Sequence, residues 1–117
     1  MTTPTTGIWA YRETTVGMPA DLAGYKVEAI DGDIGKIDKA RNEVGSACIV
    51  VDTGPWIFGK KVLIPAGVIR DIDLDSETVF VDRTKEDIKN SPEYDEDMYD
   101  DPAYLYRVGS YYGPSGT

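Results

Sequence analysis

The chain has 117 residues, of which 41% are hydrophobic, and this length and composition fit one globular domain. Acidic residues outnumber Lys and Arg by 21 to 12, and the net charge of -9 argues against nucleic-acid binding, which needs cations to neutralise phosphates. The same charge disfavours anionic membrane surfaces, and the longest apolar run is too short for a membrane span, so we expect no direct membrane insertion.

Residues 1–21 are predicted to form an N-terminal arm that begins with a loose, Thr- and Pro-rich stretch. Its apolar residues at 8–11 are expected to pack across the main domain or onto a second copy. No basic region precedes an apolar core here, so no signal peptide is visible. The single cysteine, Cys48, excludes an intramolecular disulfide and favours a cytoplasmic location.

Residues 24–51 predict the first strands. Apolar and polar residues alternate over 25–29, and the Asp-Gly pair at 31–32 then predicts a hairpin turn. Gly35 falls inside the second strand of this hairpin, where it predicts a bulge or a close backbone approach. The run 47–51 is apolar on both faces of the pleat and is expected to be the most buried strand.

Further short strands are predicted over 61–64, where Pro65 ends the run, and over 68–74 and 78–81, which resemble a hairpin. Several short strands at close spacing, joined by turn residues, indicate a mainly β protein. We therefore expect a small, highly curved β-barrel or sandwich with short helical segments only near the C-terminus.

The pattern becomes helical after residue 84. Thr84 predicts an N-cap, with Asp87 in the place of the usual Glu of a capping box. Residues 91–101 hold six acidic groups and no basic one, and Asp101 followed by Pro predicts a second helix start. Spacing then places Leu105, Val108 and Tyr112 on one helix face. Residues 96–117 are accordingly predicted to be an acidic, Tyr-rich C-terminal tail.

The order of these motifs resembles a PRC-barrel domain over residues 22–95. The segments that carry the resemblance are Val27…Asp31-Gly32-Asp33-Ile34-Gly35-Lys36-Ile37-Asp38, the run ending at Val51, Lys61-Val62-Leu63-Ile64-Pro65-Ala66, Ile69…Ile72-Asp73, Val79-Phe80-Val81 and Thr84…Ile88-Lys89…Ser91-Pro92-Glu93-Tyr94-Asp95. The resemblance implies a small, highly curved barrel that serves docking and assembly rather than catalysis. Without a membrane helix or a preceding domain, the chain resembles the free-standing bacterial members rather than the reaction-centre H subunit or the ribosome maturation factors.

One triplet suggests an enzyme. Asp52-Thr53-Gly54 follows an apolar run, as the catalytic triplet of aspartic proteases does, and a homodimer would bring two such carboxylates together. The alternative function is therefore a dimeric aspartic hydrolase that uses Asp52. The competing interpretation is a strand that ends in a turn, where Asp, Thr and Gly are all favoured. Pro55 and Trp56 follow at positions where the protease turn has small residues.

No cofactor or metal site is predicted. The chain has no histidine and one cysteine, so neither a zinc site nor a His-activated nucleophile can be built within it. The aspartates at 71, 73 and 75 resemble the start of a calcium loop, but Ser76 and Asp82 stand where such a loop needs Gly and Glu.

Aromatic residues supply the predicted binding surfaces. The loop 54–61 contains two aromatic side chains beside two lysines, which form either a contact patch or a plug in the barrel. The tyrosines of the tail bind a partner or pack on the chain's own barrel. The predicted partner-binding residues are Trp56, Phe58, Tyr104, Tyr106, Tyr111 and Tyr112. The expected function is a non-catalytic binding module that forms a homodimer, with another protein or a larger complex as the alternative partner.

Overall fold

The computed structural model describes residues 7–9, 22–41, 47–54 and 60–113, and the fold is mainly β, as predicted. Six strands form one sheet: β1 (Lys26–Ala29), β2 (Gly32–Arg41), β3 (Cys48–Asp52), β4 (Lys61–Pro65), β5 (Ile69–Asp73) and β6 (Thr78–Val81). Two helices follow, α1 (Lys85–Lys89) and α2 (Pro102–Tyr112). Short 3₁₀ turns occupy Gly7–Trp9, Ala66–Val68 and Glu96–Met98.

The strand order in the sheet is β4-β3-β2-β1-β6-β5. Neighbouring strands are antiparallel except β1 and β6, which are parallel. The β5–β6 hairpin predicted from the sequence is present, and Asp73 accepts hydrogen bonds from the backbone N–H groups of Asp75 and Ser76 in its turn.

The sheet is not closed into a barrel, so the predicted closure is not confirmed by the described residues. The pairing pattern makes the two edge strands, β4 and β5, run in the same direction, yet only Ala66–Val68 joins them. Strands that pair in parallel need a connection of about a dozen residues or more. The two edge strands therefore follow each other end to end and cannot pair side by side.

Strand β3 is the centre of the core. Its residues from Cys48 to Val51 are all fully buried, which confirms the prediction of a strand covered on both faces. The Cys48 side chain lies near Arg41 and Asp100, so the C-terminal part of the chain covers this face. Burial raises the pKa of the Cys48 thiol to about 11, which keeps it protonated at neutral pH.

The hairpin predicted at the Asp-Gly pair is present as β1 and β2, with a displaced turn. Gly32 already pairs with Ala29, so Ile30 and Asp31 form the turn. The Asp31 carboxylate accepts a hydrogen bond from the Lys85 backbone N–H at 2.8 Å. This contact with the start of α1 fixes the turn from outside the hairpin.

The predicted Thr84 cap of α1 is also present, since its hydroxyl accepts from the Asp87 N–H at 3.1 Å.

The N-terminal 3₁₀ turn packs on the chain itself. The Trp9 carbonyl oxygen accepts a hydrogen bond from the Ala47 N–H at 3.0 Å. Ile8 passes so close to Gly67 that a Cβ there would lie 2.7 Å from the Ile8 carbonyl oxygen. Of the two predictions for the apolar residues at the N-terminus, packing across their own domain is therefore correct for residues 8 and 9.

Gly35 makes the close backbone approach that the sequence predicted. Its φ is 141°, and a Cβ atom at this position would overlap the carbonyl oxygen of Asp52 on β3. The register of the β1–β2 ladder also shifts beside it, between Val27 and Glu28. Only glycine therefore allows β2 to pass the end of β3 at this distance.

We expect Gly35→Ala to lower the free energy of unfolding by about 3 kcal/mol, because the new methyl group forces two strands apart. Gly54→Ala is the matched control. Gly54 also has a positive φ, of 57°, but open space surrounds it, so its cost is limited to backbone strain of about 1 kcal/mol. Denaturant unfolding followed by circular dichroism measures both, and equal costs would contradict the close approach.

Candidate functional site

Helix α2 carries four of the predicted binding residues, and it begins where the sequence predicted. The Asp101 carboxylate accepts a hydrogen bond from the Ala103 N–H at 3.0 Å, and Pro102 occupies the first helical position. The buried face consists of Tyr104, Val108 and Tyr112, while Leu105 is half-buried. The predicted face was thus right for two of its three members, and Tyr104 takes the place given to Leu105.

Tyr104 and Tyr112 point into the core. Each is 1% exposed, so neither can contact a partner while α2 is docked. The Tyr104 hydroxyl donates to the Pro92 carbonyl oxygen at 3.1 Å, whereas the Tyr112 hydroxyl is buried with no hydrogen-bond partner among the described residues. Burial raises the pKa of Tyr104, and it raises the pKa of Tyr112 to about 12.

Tyr106 and Tyr111 lie on the outer side of α2. Tyr106 is 76% exposed, and Tyr111 is 38% exposed. The Tyr111 hydroxyl donates to the Asp87 carbonyl oxygen of α1 at 2.6 Å, and its ring meets that of Tyr112 edge to face. Tyr111 is therefore held in place by its own chain, and Tyr106 is the aromatic side chain of α2 that projects furthest into solvent.

A groove of about 320 Å³ opens beside Tyr106, between α2 and the N-terminal 3₁₀ turn. Its lining residues are Ile8, Trp9, Tyr106, Gly109, Ser110 and Gly113. The helix approaches the turn closely because Gly109 has no side chain, and a Cβ there would lie 3.0 Å from Trp9 Nε1. Arg107 is the single charged residue of α2, so this helix bears no negative charge on a strongly acidic protein.

The other two predicted binding residues, Trp56 and Phe58, lie outside the described residues. The predicted plug and the predicted contact patch both remain predictions for this loop. Gly54 and Lys60, within the same loop, are described, and the Thr53 hydroxyl donates to the Lys60 carbonyl oxygen at 2.6 Å. The two ends of the loop are thereby joined.

Asp52 occupies the environment of a turn residue. Its carboxylate accepts a hydrogen bond from the Gly54 N–H at 3.0 Å. On the sheet, Lys36 is its partner on one side and Lys61 its partner on the other. An aspartic protease dyad depends on two carboxylates that share a proton, whereas this carboxylate accepts from a backbone N–H two residues on, as turn aspartates do. This geometry favours the structural interpretation of the Asp52-Thr53-Gly54 triplet.

An ion-pair cluster that the sequence did not predict lies across β2 and β4. Glu96 accepts from Lys39 Nζ at 3.2 Å and from Lys61 Nζ at 2.9 Å, and Arg41 pairs with Asp100. Hydrogen bonds from Lys61 and Lys39 hold the pKa of Glu96 below its ordinary value. The sequence pattern that could have predicted this cluster is the pair Lys39 and Arg41, two cations at alternate positions of β2, whose side chains therefore share a face.

Within the described ranges, no group of His, Cys, Asp and Glu side chains could hold a metal ion. No helix in this part of the chain is long and apolar enough to cross a membrane.

A larger cavity of about 650 Å³ lies near Asp52, between Lys26, Lys36, Asp33 and the end of β3. Its rim mixes three acidic groups with two lysines, so it has no single charge preference.

We expect Tyr104→Phe to lower the free energy of unfolding by about 1 kcal/mol, because the Pro92 carbonyl oxygen loses its donor. Tyr112→Phe is the control at an equally buried position. Its hydroxyl has no partner in the part of the chain that the structure describes, so its removal is expected to be neutral or stabilising. Urea unfolding compares the two, and a greater loss for Tyr112→Phe would contradict these positions.

Alkaline pH tests the same burial. The raised pKa of Tyr112 means that its neutral phenol contributes stability that is complete below pH 10.0 and is lost as the pH rises toward about 12. Tyr112→Phe has no phenol to ionise there. Between about pH 8 and about pH 11, its melting temperature is expected to fall less than that of the wild type. An equal fall in both proteins would show that Tyr112 is not buried.

Comparisons with known proteins assign no family to this chain. No family model matches it, and no curated protein matches it.

Proposed function

We propose that this protein is a non-catalytic, PRC-barrel-like assembly module that acts as a homodimer. The PRC-barrel part of the proposal is supported by the order of the sequence motifs from Val27 to Asp95. Register shifts in three ladders, β1–β2, β2–β3 and β5–β6, add support, because such irregularities bend and twist strands as a highly curved sheet requires.

The non-catalytic part rests on the surroundings of Asp52. Its carboxylate accepts a hydrogen bond from the Gly54 N–H, which is the contact that an aspartate makes in a turn. A cytoplasmic location also belongs to the proposal, supported by a lone, buried cysteine whose raised pKa makes it unreactive.

The observation that carries the homodimer is the outer face of α2. A tyrosine that is 76% exposed stands beside a groove lined by Ile8, Trp9 and two glycines. In a two-fold dimer each surface meets its own copy, so one face must supply both the projection and the hollow. Tyr106 and the groove meet that requirement, and tyrosine is a common anchor of protein interfaces.

Charge favours the same face. Two copies with a net charge of -9 repel each other, and the repulsion is smallest where neither surface is acidic. The eleven residues of α2 contain no Asp or Glu. The helix alone is only about 16 Å long, so the flanking 3₁₀ turn is needed to extend the contact area.

We expect the wild-type protein to be dimeric at micromolar concentration in size-exclusion chromatography with light scattering. Tyr106→Glu is expected to raise the dimer dissociation constant about 30-fold or more, because it removes an anchor worth about 2 kcal/mol and adds a charge. Its folding should be unaffected, since the side chain is largely in solvent.

Ile30→Glu is the matched control, because Ile30 is 58% exposed in the β1–β2 turn, on another element. It is expected to leave the dimer intact. A wild-type protein that stays monomeric would refute the homodimer, and a Tyr106→Glu variant as dimeric as the wild type would refute the outer face of α2 as its interface.

A further inference from the structure

Residues 93–101, called here the acidic strap, lie against a row of cations on the sheet. One carboxylate, that of Glu96, bridges Lys39 Nζ of β2 at 3.2 Å and Lys61 Nζ of β4 at 2.9 Å. Four residues further along the chain, Asp100 pairs with Arg41 of β2. Glu93, at the start of the strap, pairs with Lys60 at 3.3 Å, but only Glu96 and Asp100 contact the three cations of β2 and β4.

Between these carboxylates, Tyr99 packs against the same cations. Its ring centroid lies 4.2 Å from Lys39 Nζ and 4.1 Å from Arg41 Cζ. Cations attract the face of an aromatic ring, most strongly where water is partly excluded, and Tyr99 is half-buried. The cation row therefore recognises a specific order of groups in the strap, which is carboxylate, two intervening residues, aromatic ring and carboxylate.

The individual contacts of the strap are weak. Glu96 and Asp100 have side chains that are 58% and 80% exposed, and exposed ion pairs contribute little to stability. The strap occupies the row because it is covalently attached, which gives it an effective concentration on the order of millimolar. Tyr94, Met98 and Tyr99 of the strap also pack against the core, so it is at its exposed ion pairs that a free segment of the same chemistry can compete with the strap for the cations.

We propose that Lys39, Arg41 and Lys61 form a binding site for acidic, tyrosine-containing peptide segments, and that the acidic strap is its intramolecular occupant. The partner is a segment with the Glu-x-x-Tyr-Asp order of residues 96–100. This site is separate from the outer face of α2, and it shares no residue with the groove beside Tyr106. A test of this site is therefore independent of the test of the homodimer.

The test uses a fluorescent peptide with the sequence of residues 93–101 and the full chain in two forms. The unmasked variant carries Glu96→Gln, Tyr99→Ala and Asp100→Asn, which remove the contacts of the strap with Lys39, Arg41 and Lys61. Fluorescence anisotropy is expected to show binding to the unmasked variant about tenfold tighter or more than to the wild type. Because charge pairs carry the contact, binding is expected to weaken as salt rises.

Two controls separate recognition from general attraction. A peptide with the same three substitutions should not bind. Adding Lys39→Gln and Arg41→Gln to the unmasked variant should abolish binding, whereas Lys26→Gln and Lys36→Gln, which remove two exposed lysines elsewhere on β1 and β2, should not. The overall charges oppose binding, since the protein and the peptide are both acidic and repel each other, so any binding must come from the local site.

Absence of peptide binding to a folded unmasked variant would overturn the proposal, as would equal binding after the loss of Lys39 and Arg41. If the unmasked variant fails to fold, the wild type is titrated with millimolar peptide instead. Nuclear magnetic resonance is then expected to show shifts of the Lys39 and Arg41 backbone amides as the peptide replaces the strap. Unchanged chemical shifts of these two amides at a saturating concentration of the peptide would refute the site.

Discussion

Strand β3 is buried on both faces, so other parts of the structure must cover each of them. A single sheet cannot cover both faces of its own strands, so one side of β3 needs a separate cover. Tyr99 and Tyr104, in the C-terminal part of the chain, both lie near Cys48. The C-terminal part of the chain is therefore a structural layer of the domain.

Local rules predicted the features that depend on neighbouring residues. The hairpins, the doubly buried strand, the caps of both helices and the close approach at Gly35 all follow from short patterns of apolar, turn and capping residues. Even there, distant contacts adjusted the outcome. The first hairpin turn lies at Ile30 and Asp31, where the Asp31 carboxylate accepts from the Lys85 N–H of α1, and Tyr104 takes the buried position expected for Leu105.

Long-range geometry set the limits of prediction. Closure of the sheet depends on the relative direction of β4 and β5. That direction follows from the parallel pairing of β1 and β6, which no local sequence pattern predicts. The acidic run 91–101 looked like a solvated linker because its partners are strands some 35 to 60 residues away in sequence. For the same reason, the six predicted binding residues could not be sorted into buried and exposed ones by composition.

The doubly buried strand has a consequence for synthesis. Chains emerge from the ribosome with the N-terminal part first, so β3 is complete well before α2 exists. Until the C-terminal part of the chain has been synthesised, the side of β3 that it covers is exposed to other nascent chains and to chaperones. Docking of this part on the sheet is thus the step that protects β3 from aggregation.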